Sequence, residues 1–207
     1  MKSIAIVAML CALAVPAASA TTDIAPDVLA RSVTEEVLAI VRADKELQAG
    51  NPQKIMQLVE TKVLPHFNFV RMTQLAVGRH WRQATPEQRN QLTEEFRTLL
   101  VRTYTTVFTV YKNQTIDYRP VRLAPGDTEV VVKSVIRQPA GQPIAIDYSM
   151  EKLANTWKVY DVRIEGVSLV ENYRNTFNSE IQRSGVAGLV RVLADRNSTL
   201  AAQAKRP

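Results

Sequence analysis

The chain has 207 residues with 26 Lys and Arg against 20 Asp and Glu, a formal net charge of +6, and its one cysteine is Cys11. That length suits one domain with a substantial core. Beyond Cys11 the chain can form neither a disulfide framework nor a thiolate site, and its dispersed basic residues lack the clustered, aromatic-interleaved pattern of a nucleic-acid binder.

Residues 1–20 are expected to be a cleaved secretory signal peptide. Lys2 supplies the positive start, Ile4 to Val15 is apolar and uncharged, and Ala18-Ser19-Ala20 offers small residues at a cleavage site. The apolar run of about 12 residues is short of the ~20 that span a bilayer. Leu10 before Cys11 does not fit a lipobox, which wants a small residue there. Residues 21–207 are then the mature, exported domain, with no other segment of transmembrane length.

Leu29, Val33, Val37, Ile40 and Val41 recur at helical spacing after Pro26. Asn51-Pro52 reads as a cap with proline in the first turn, and Ile55, Leu58, Val59 and Val63 follow on one face until Pro65. Asn68 is placed to cap a short helix carrying Val70, Met72 and Leu75, ended by Gly78. Thr85-Pro86-Glu87-Gln88 is a capping box. The helix it opens carries Leu92, Phe96, Leu99, Leu100, Tyr104, Val107, Phe108 and Tyr111. About 26 residues at ~1.5 Å each predict a rod of roughly 39 Å.

From Gln114 the period changes to two, predicting strands at 114–123, 128–137, 143–153 and 156–165. Pro125-Gly126-Asp127, Pro139-Ala140-Gly141 and Asn155 mark the turns. Short connections imply an antiparallel meander whose apolar face meets the helices. Ser168-Leu169-Val170-Glu171 reads as a second capping box, with Val170, Tyr173, Phe177 and Ile181 behind it. Gly185 interrupts, and Val186, Leu189, Val190 and Leu193 form the last helix. The fold class is α+β, one four-stranded antiparallel sheet against several helices.

No catalytic constellation emerges. His66 and His80 stand apart, with no acidic pattern that completes a metal site. The chain has no Gly-x-Ser-x-Gly elbow, no Gly-x-Gly-x-x-Gly and no Walker loop. Glu35-Glu36 and Glu94-Glu95 are sequence neighbours on helices and point in different directions. Asp161, among apolar residues, is expected to be a structural partner of Arg163 or Arg174.

Three stretches carry a resemblance to the MlaC, or toluene-tolerance, family of periplasmic auxiliary proteins. They are Val63 to Thr73 with Leu75 to Trp81, Thr85 to Gln88 with Phe96 to Tyr104, and Trp157 to Arg174 with Phe177. Asn68 stands where the family usually has aspartate, and both residues cap helices well. The resemblance implies an NTF2-like core with additional helices, an apolar cavity for phospholipid tails, and no enzymatic activity or cofactor. It also implies shuttling of phospholipid between an outer-membrane lipoprotein–porin complex and the inner-membrane Mla ABC transporter complex, by a periplasmic monomer that maintains outer-membrane asymmetry. A hopanoid-linked branch of the family and a periplasmic NTF2-like enzyme are the alternatives; an inward-facing Asp147 or Asp161 would favour the enzyme.

Two acyl chains carry about 30 methylenes, and exposing them to water costs on the order of 24 kcal/mol. Only a deep apolar slot offsets that. The expected walls from the first half are Phe67, Met72, Leu75, Leu100, Tyr104, Val107 and Phe108. From the sheet and beyond come Ile146, Tyr148, Met150, Val162, Ile164, Val167, Val170, Tyr173 and Phe177. The tyrosines are expected at the mouth, ring against tail and hydroxyl towards the headgroup.

Overall fold

The structure, a computed structural model, describes residues 24–105, 114–138 and 141–204. Six α-helices are described: α1 (Pro26–Ala43), α2 (Lys45–Gln48), α3 (Pro52–Leu58), α4 (Phe69–Val77), α5 (Pro86–Tyr104) and α6 (Leu169–Ala204). Five strands make one antiparallel sheet in the order of the chain: β1 (Thr115–Tyr118), β2 (Glu129–Arg137), β3 (Ile144–Leu153), β4 (Thr156–Ile164) and β5 (Val167–Ser168).

Most helices start where a side chain can take an otherwise orphaned N–H. Asp44 accepts from the Glu46 and Leu47 amides at the head of α2, and Asn51 from Gln53 and Lys54 at the head of α3. Asn68 accepts from the Arg71 amide at 3.1 Å, and α4 ends at Gly78, whose φ of 61° favours glycine. At α5 the box closes both ways: Gln88 donates its amide to Thr85 Oγ1, and Thr85 donates its own to Gln88 Oε1. Between α3 and α4 the chain loosens into a π-helical turn (Val59–Val63) and a 3₁₀ turn (Leu64–His66), with Pro65 in the latter. Gly185, at φ 70° and ψ 178°, breaks α6 where the sequence places an interruption.

Two strand expectations are corrected. The sheet has five strands, not four: β5 is a two-residue pairing of Val167 and Ser168 with Ile164 and Arg163, too short to show a period. The first strand spans Thr115–Tyr118 rather than 114–123, because Pro120 has no N–H to extend the ladder. Val107, Phe108 and Tyr111, and the turn residues Pro139 and Ala140, lie outside the described residues.

One irregularity organises the sheet. Ser149 pairs with Asp161 but Met150 pairs with Val159, so Tyr160 is an extra residue in β4. This bulge shifts the alternation of β4 by one. Below it Trp157 and Val159, and above it Val162 and Ile164, therefore share the face that carries Ile146, Tyr148 and Met150. Asp161 is left on the opposite face, 6% exposed. There it accepts the Val170 amide at 3.2 Å and caps α6, and Arg163 stands 3.8 Å away. The arginine partner expected from the sequence is Arg163; the capping role is an addition.

Three apolar clusters result. α4, α5 and α6 close a solid helical core around Leu92, Phe96, Leu99, Phe177 and Leu189. Its aromatic centre sets Phe96 edge-on to Tyr173 and Phe177, each at 5.1 Å. A second cluster joins Val37 and Val41 of α1 to Leu47, Ile55, Leu58 and Val59. The third lies on the sheet, around Tyr118, Val132, Met150, Trp157 and Val159, with Leu29 and Ala30 of α1 against it.

Candidate functional site: an apolar cavity under the first helix

α1 does not seal the sheet. Between them is a cavity of about 370 Å³, inside the ~300–1,000 Å³ range of small-ligand sites. α1 forms the roof with Leu29, Ala30, Val33, Thr34, Val37, Leu38 and Val41. The floor is Ile116 and Tyr118 of β1, Ile136 of β2, Ile144, Ile146, Tyr148 and Met150 of β3, and Val159 of β4. Gln114 and Gln138 mark one end; Val63, His66 and Phe67 mark the other. The floor along β3 from Ile144 to Met150 is about 20 Å at ~3.3 Å per residue. A bilayer core of about 30 Å gives one leaflet's tails a reach of roughly 15 Å. The slot is therefore long enough for an acyl tail lying along the strand.

Several polar groups at and beside these walls are bonded within the protein, which keeps the surface mostly apolar. Thr34 donates its hydroxyl to the Ala30 carbonyl and shares a 2.6 Å hydrogen bond with the Tyr118 hydroxyl. Tyr118 stacks on Tyr148 at 6.4 Å, and Ser134 donates to the Ile146 carbonyl at 3.1 Å. Burial pushes the Tyr148 phenol well above its ordinary range, with Tyr118 adding to the effect, so it stays neutral. Burial, aided by the nearby Lys158 charge, lowers the His66 pKa against a smaller opposing effect of Glu36, so the imidazole also favours its neutral form.

Of the expected wall residues, Phe67, Ile146, Tyr148 and Met150 line this cavity. Val162 packs into the sheet cluster beside it, and Ile164 is half-buried opposite Val167 near the sheet edge. Val167 itself is 60% exposed. Met72, Leu100, Val170 and Phe177 are buried in the helical core, with Leu75, Tyr104 and Tyr173 packed against it. That core takes up their apolar surface, and they are not among the described residues lining this cavity. Of the expected tyrosines Tyr148 lines the cavity, on the floor at mid-strand rather than at a rim, and Tyr118, not among those expected, lies beside it.

Sequence reasoning missed the roof. Its helical period was legible, but the same period describes a face packed solid and a face over a void. The signal available was the alignment of the α1 stripe with the alternating Ile116, Tyr118, Ile136 and Ile144 of the sheet. Asp147 pairs with Arg163 on the face away from the cavity, and Asp161 caps α6, so neither supplies an acid to this space. Among the described residues no group of three or more His, Cys, Asp or Glu is arranged to hold a metal ion.

An α+β shell around an interior slot walled mostly by apolar side chains defines a class of protein: one with a compartment that fits a hydrophobic molecule. The family profile described as MlaC protein matches residues 31–195, and the chain belongs to that family. It is 26% identical over 161 residues to the toluene tolerance protein ttg2D of Pseudomonas putida, covering 77% of this chain and 74% of that one. It is 22% identical over 175 residues to the intermembrane phospholipid transport system binding protein MlaC of Haemophilus influenzae, covering 83% and 82%. The structure superposes with a TM-score of 0.78 on a phospholipid-binding protein from Ralstonia solanacearum solved in complex with a phospholipid. That protein is 45% identical, and the match covers 84% of this chain and 98% of that one.

Proposed function

We propose that this protein is a phospholipid-binding carrier, not an enzyme, and that it holds an acyl tail in the slot between α1 and the sheet. The observation that carries the reading is the cavity itself: about 370 Å³ with walls mostly of Leu, Val, Ile, Met and aromatic side chains, where Thr34 and Tyr118 bond to each other. The names of the relatives and the lipid in the Ralstonia structure support phospholipid as the cargo. Binding need not read the headgroup, because burial of methylenes at ~0.8 kcal/mol each supplies the energy.

The finer reading follows the family. The signal-peptide pattern of residues 1–20 supports export to the periplasm. There the carrier would exchange phospholipid with the inner-membrane Mla ABC transporter complex and an outer-membrane lipoprotein–porin complex, maintaining outer-membrane asymmetry. The net positive charge favours encounters with anionic membrane surfaces, weakened by salt.

Native mass spectrometry of gently purified protein, with mass spectrometry of its organic extract, tests the proposal. The expected result is a protein carrying one phospholipid. Protein that emerges empty, and stays empty after incubation with phospholipid vesicles, overturns it.

A further inference from the structure

Phe67 occupies a position that its burial alone does not explain. It stands at the end of the cavity where β3 reaches Met150, and it pairs with Val159 as an isolated parallel bridge. On its other side is a separate surface groove of about 470 Å³, which Phe67 also lines together with Leu64, Phe69, Val70 and Leu153. Among the described residues no other lines both spaces. One aromatic ring therefore separates the interior slot from a second concavity, of mixed apolar and charged lining, that opens to the surface.

The local chain suits a stop whose size can change without disturbing the sheet. Phe67 leaves the π-helical and 3₁₀ turns of residues 59–66 rather than a regular helix. π-helical turns of this kind recur at functional sites. The backbone is pinned just beyond the ring, where Asn68 donates its amide to the Val159 carbonyl at 2.8 Å. The ring stacks on Phe69 of the groove at 5.8 Å. A shortened side chain at this position opens the slot towards Phe69, Val70 and Leu153, the apolar part of a lining that also carries Glu60, Glu94, Arg97 and Lys158, so a longer tail gains apolar contact over its first added methylenes.

We propose that Phe67 is the end stop of the tail slot and sets the acyl-chain length the protein accepts. The assignment rests on the reading of the cavity as a tail slot. It makes Phe67 a specificity-determining residue: the ring meets the terminal methyl of the cargo and excludes tails that would need the space beyond it.

The test offers delipidated protein vesicles of phosphatidylglycerols that differ only in tail length, and reads the bound species by mass spectrometry. Wild type, Phe67→Leu, Phe67→Ala and Phe67→Trp are compared, with folding checked by circular dichroism. Phe67→Leu keeps an apolar side chain and covers the case in which Phe67→Ala fails to fold. The expected result is a shift to longer tails in Phe67→Leu and more so in Phe67→Ala, by up to roughly fourfold in relative occupancy for each added methylene. Phe67→Trp should shift the distribution towards shorter tails. Folded variants that bind lipid with the wild-type length distribution overturn the end stop. Wild-type protein that takes up no lipid at all fails the carrier reading instead, so the two failures are distinguishable.

Discussion

The molecule has a full half and an empty half. In the helical half, Leu92 and Phe96 are 0% exposed and Leu99 is 1%, and three aromatic rings interlock at its centre. In the sheet half, α1 stands off from the floor and leaves a void lined by side chains of the same chemical type. Protein interiors otherwise pack like organic crystals, so a void of this size forfeits contacts that a solid core would make. The helical half supplies the stability that lets the sheet half remain unfilled.

The sharpest way to break the comparison is to delete equal amounts of side chain from each half. Leu99→Ala should cost towards the upper part of the ~2–5 kcal/mol range for buried truncations, because a closed core cannot relax around the loss. Ile146→Ala should fall at or below the bottom of that range, because its side chain already borders space. Urea unfolding midpoints at constant slope would measure both. Equal costs would mean that the cavity closes in solution.

Function should respond the other way round. Tyr148→Arg places a charge on the floor of the slot and should lower co-purifying lipid by at least about tenfold, or ~1.4 kcal/mol, while the helical core stays folded. Mass spectrometry of organic extracts, with thermal unfolding as the folding control, reads the result. Filling the void is a milder change: Val33→Phe on the roof should add about 0.5–2 kcal/mol of stability and reduce lipid uptake together.

The smallest effect concerns the outer face, where Arg71 bridges Glu129 at 2.7 Å and Glu151, and stacks 3.7 Å over Tyr160. The Arg71 hydrogen bond holds the Glu129 carboxyl below its ordinary 4.5. A lowered carboxylate pKa stabilises the fold above the unfolded value and loses that contribution as pH falls through the folded one. Glu129 is 53% exposed, so Glu129→Gln should cost well under 1 kcal/mol near neutral pH. It should also slightly flatten the acid limb of a stability–pH curve below about pH 4.5. Urea midpoints across that range check both.

Much of this architecture was legible in the residues. Capping chemistry at Asn51, Asn68 and Thr85 marks helix starts because it satisfies specific amides, and the antiparallel meander follows from period-two runs joined by short turns. β5 was not legible, because two residues carry no period and Val167-Ser168 merges with a helix cap. At the site, the alternation of Ile146, Tyr148 and Met150 gave the floor. Met72, Leu100 and Phe177 have the same greasy character but spend it on one another, and only packing decides that. The roof of α1 was hidden for the converse reason: amphipathicity reports that a face turns away from water, not what it turns towards.

The extra residue in β4 lets a single strand serve two neighbours. Without the bulge at Tyr160, the plain alternation of this same sequence would turn either Trp157 and Val159 or Val162 and Ile164 away from the slot. With it, both pairs face inward, and the Asp161 carboxylate is still delivered to the amides that start α6. The bulged residue has contacts of its own: the Arg71 guanidinium lies over its ring and its hydroxyl donates to Glu129, so deleting Tyr160 would leave the lining of the compartment in register and remove that outer contact.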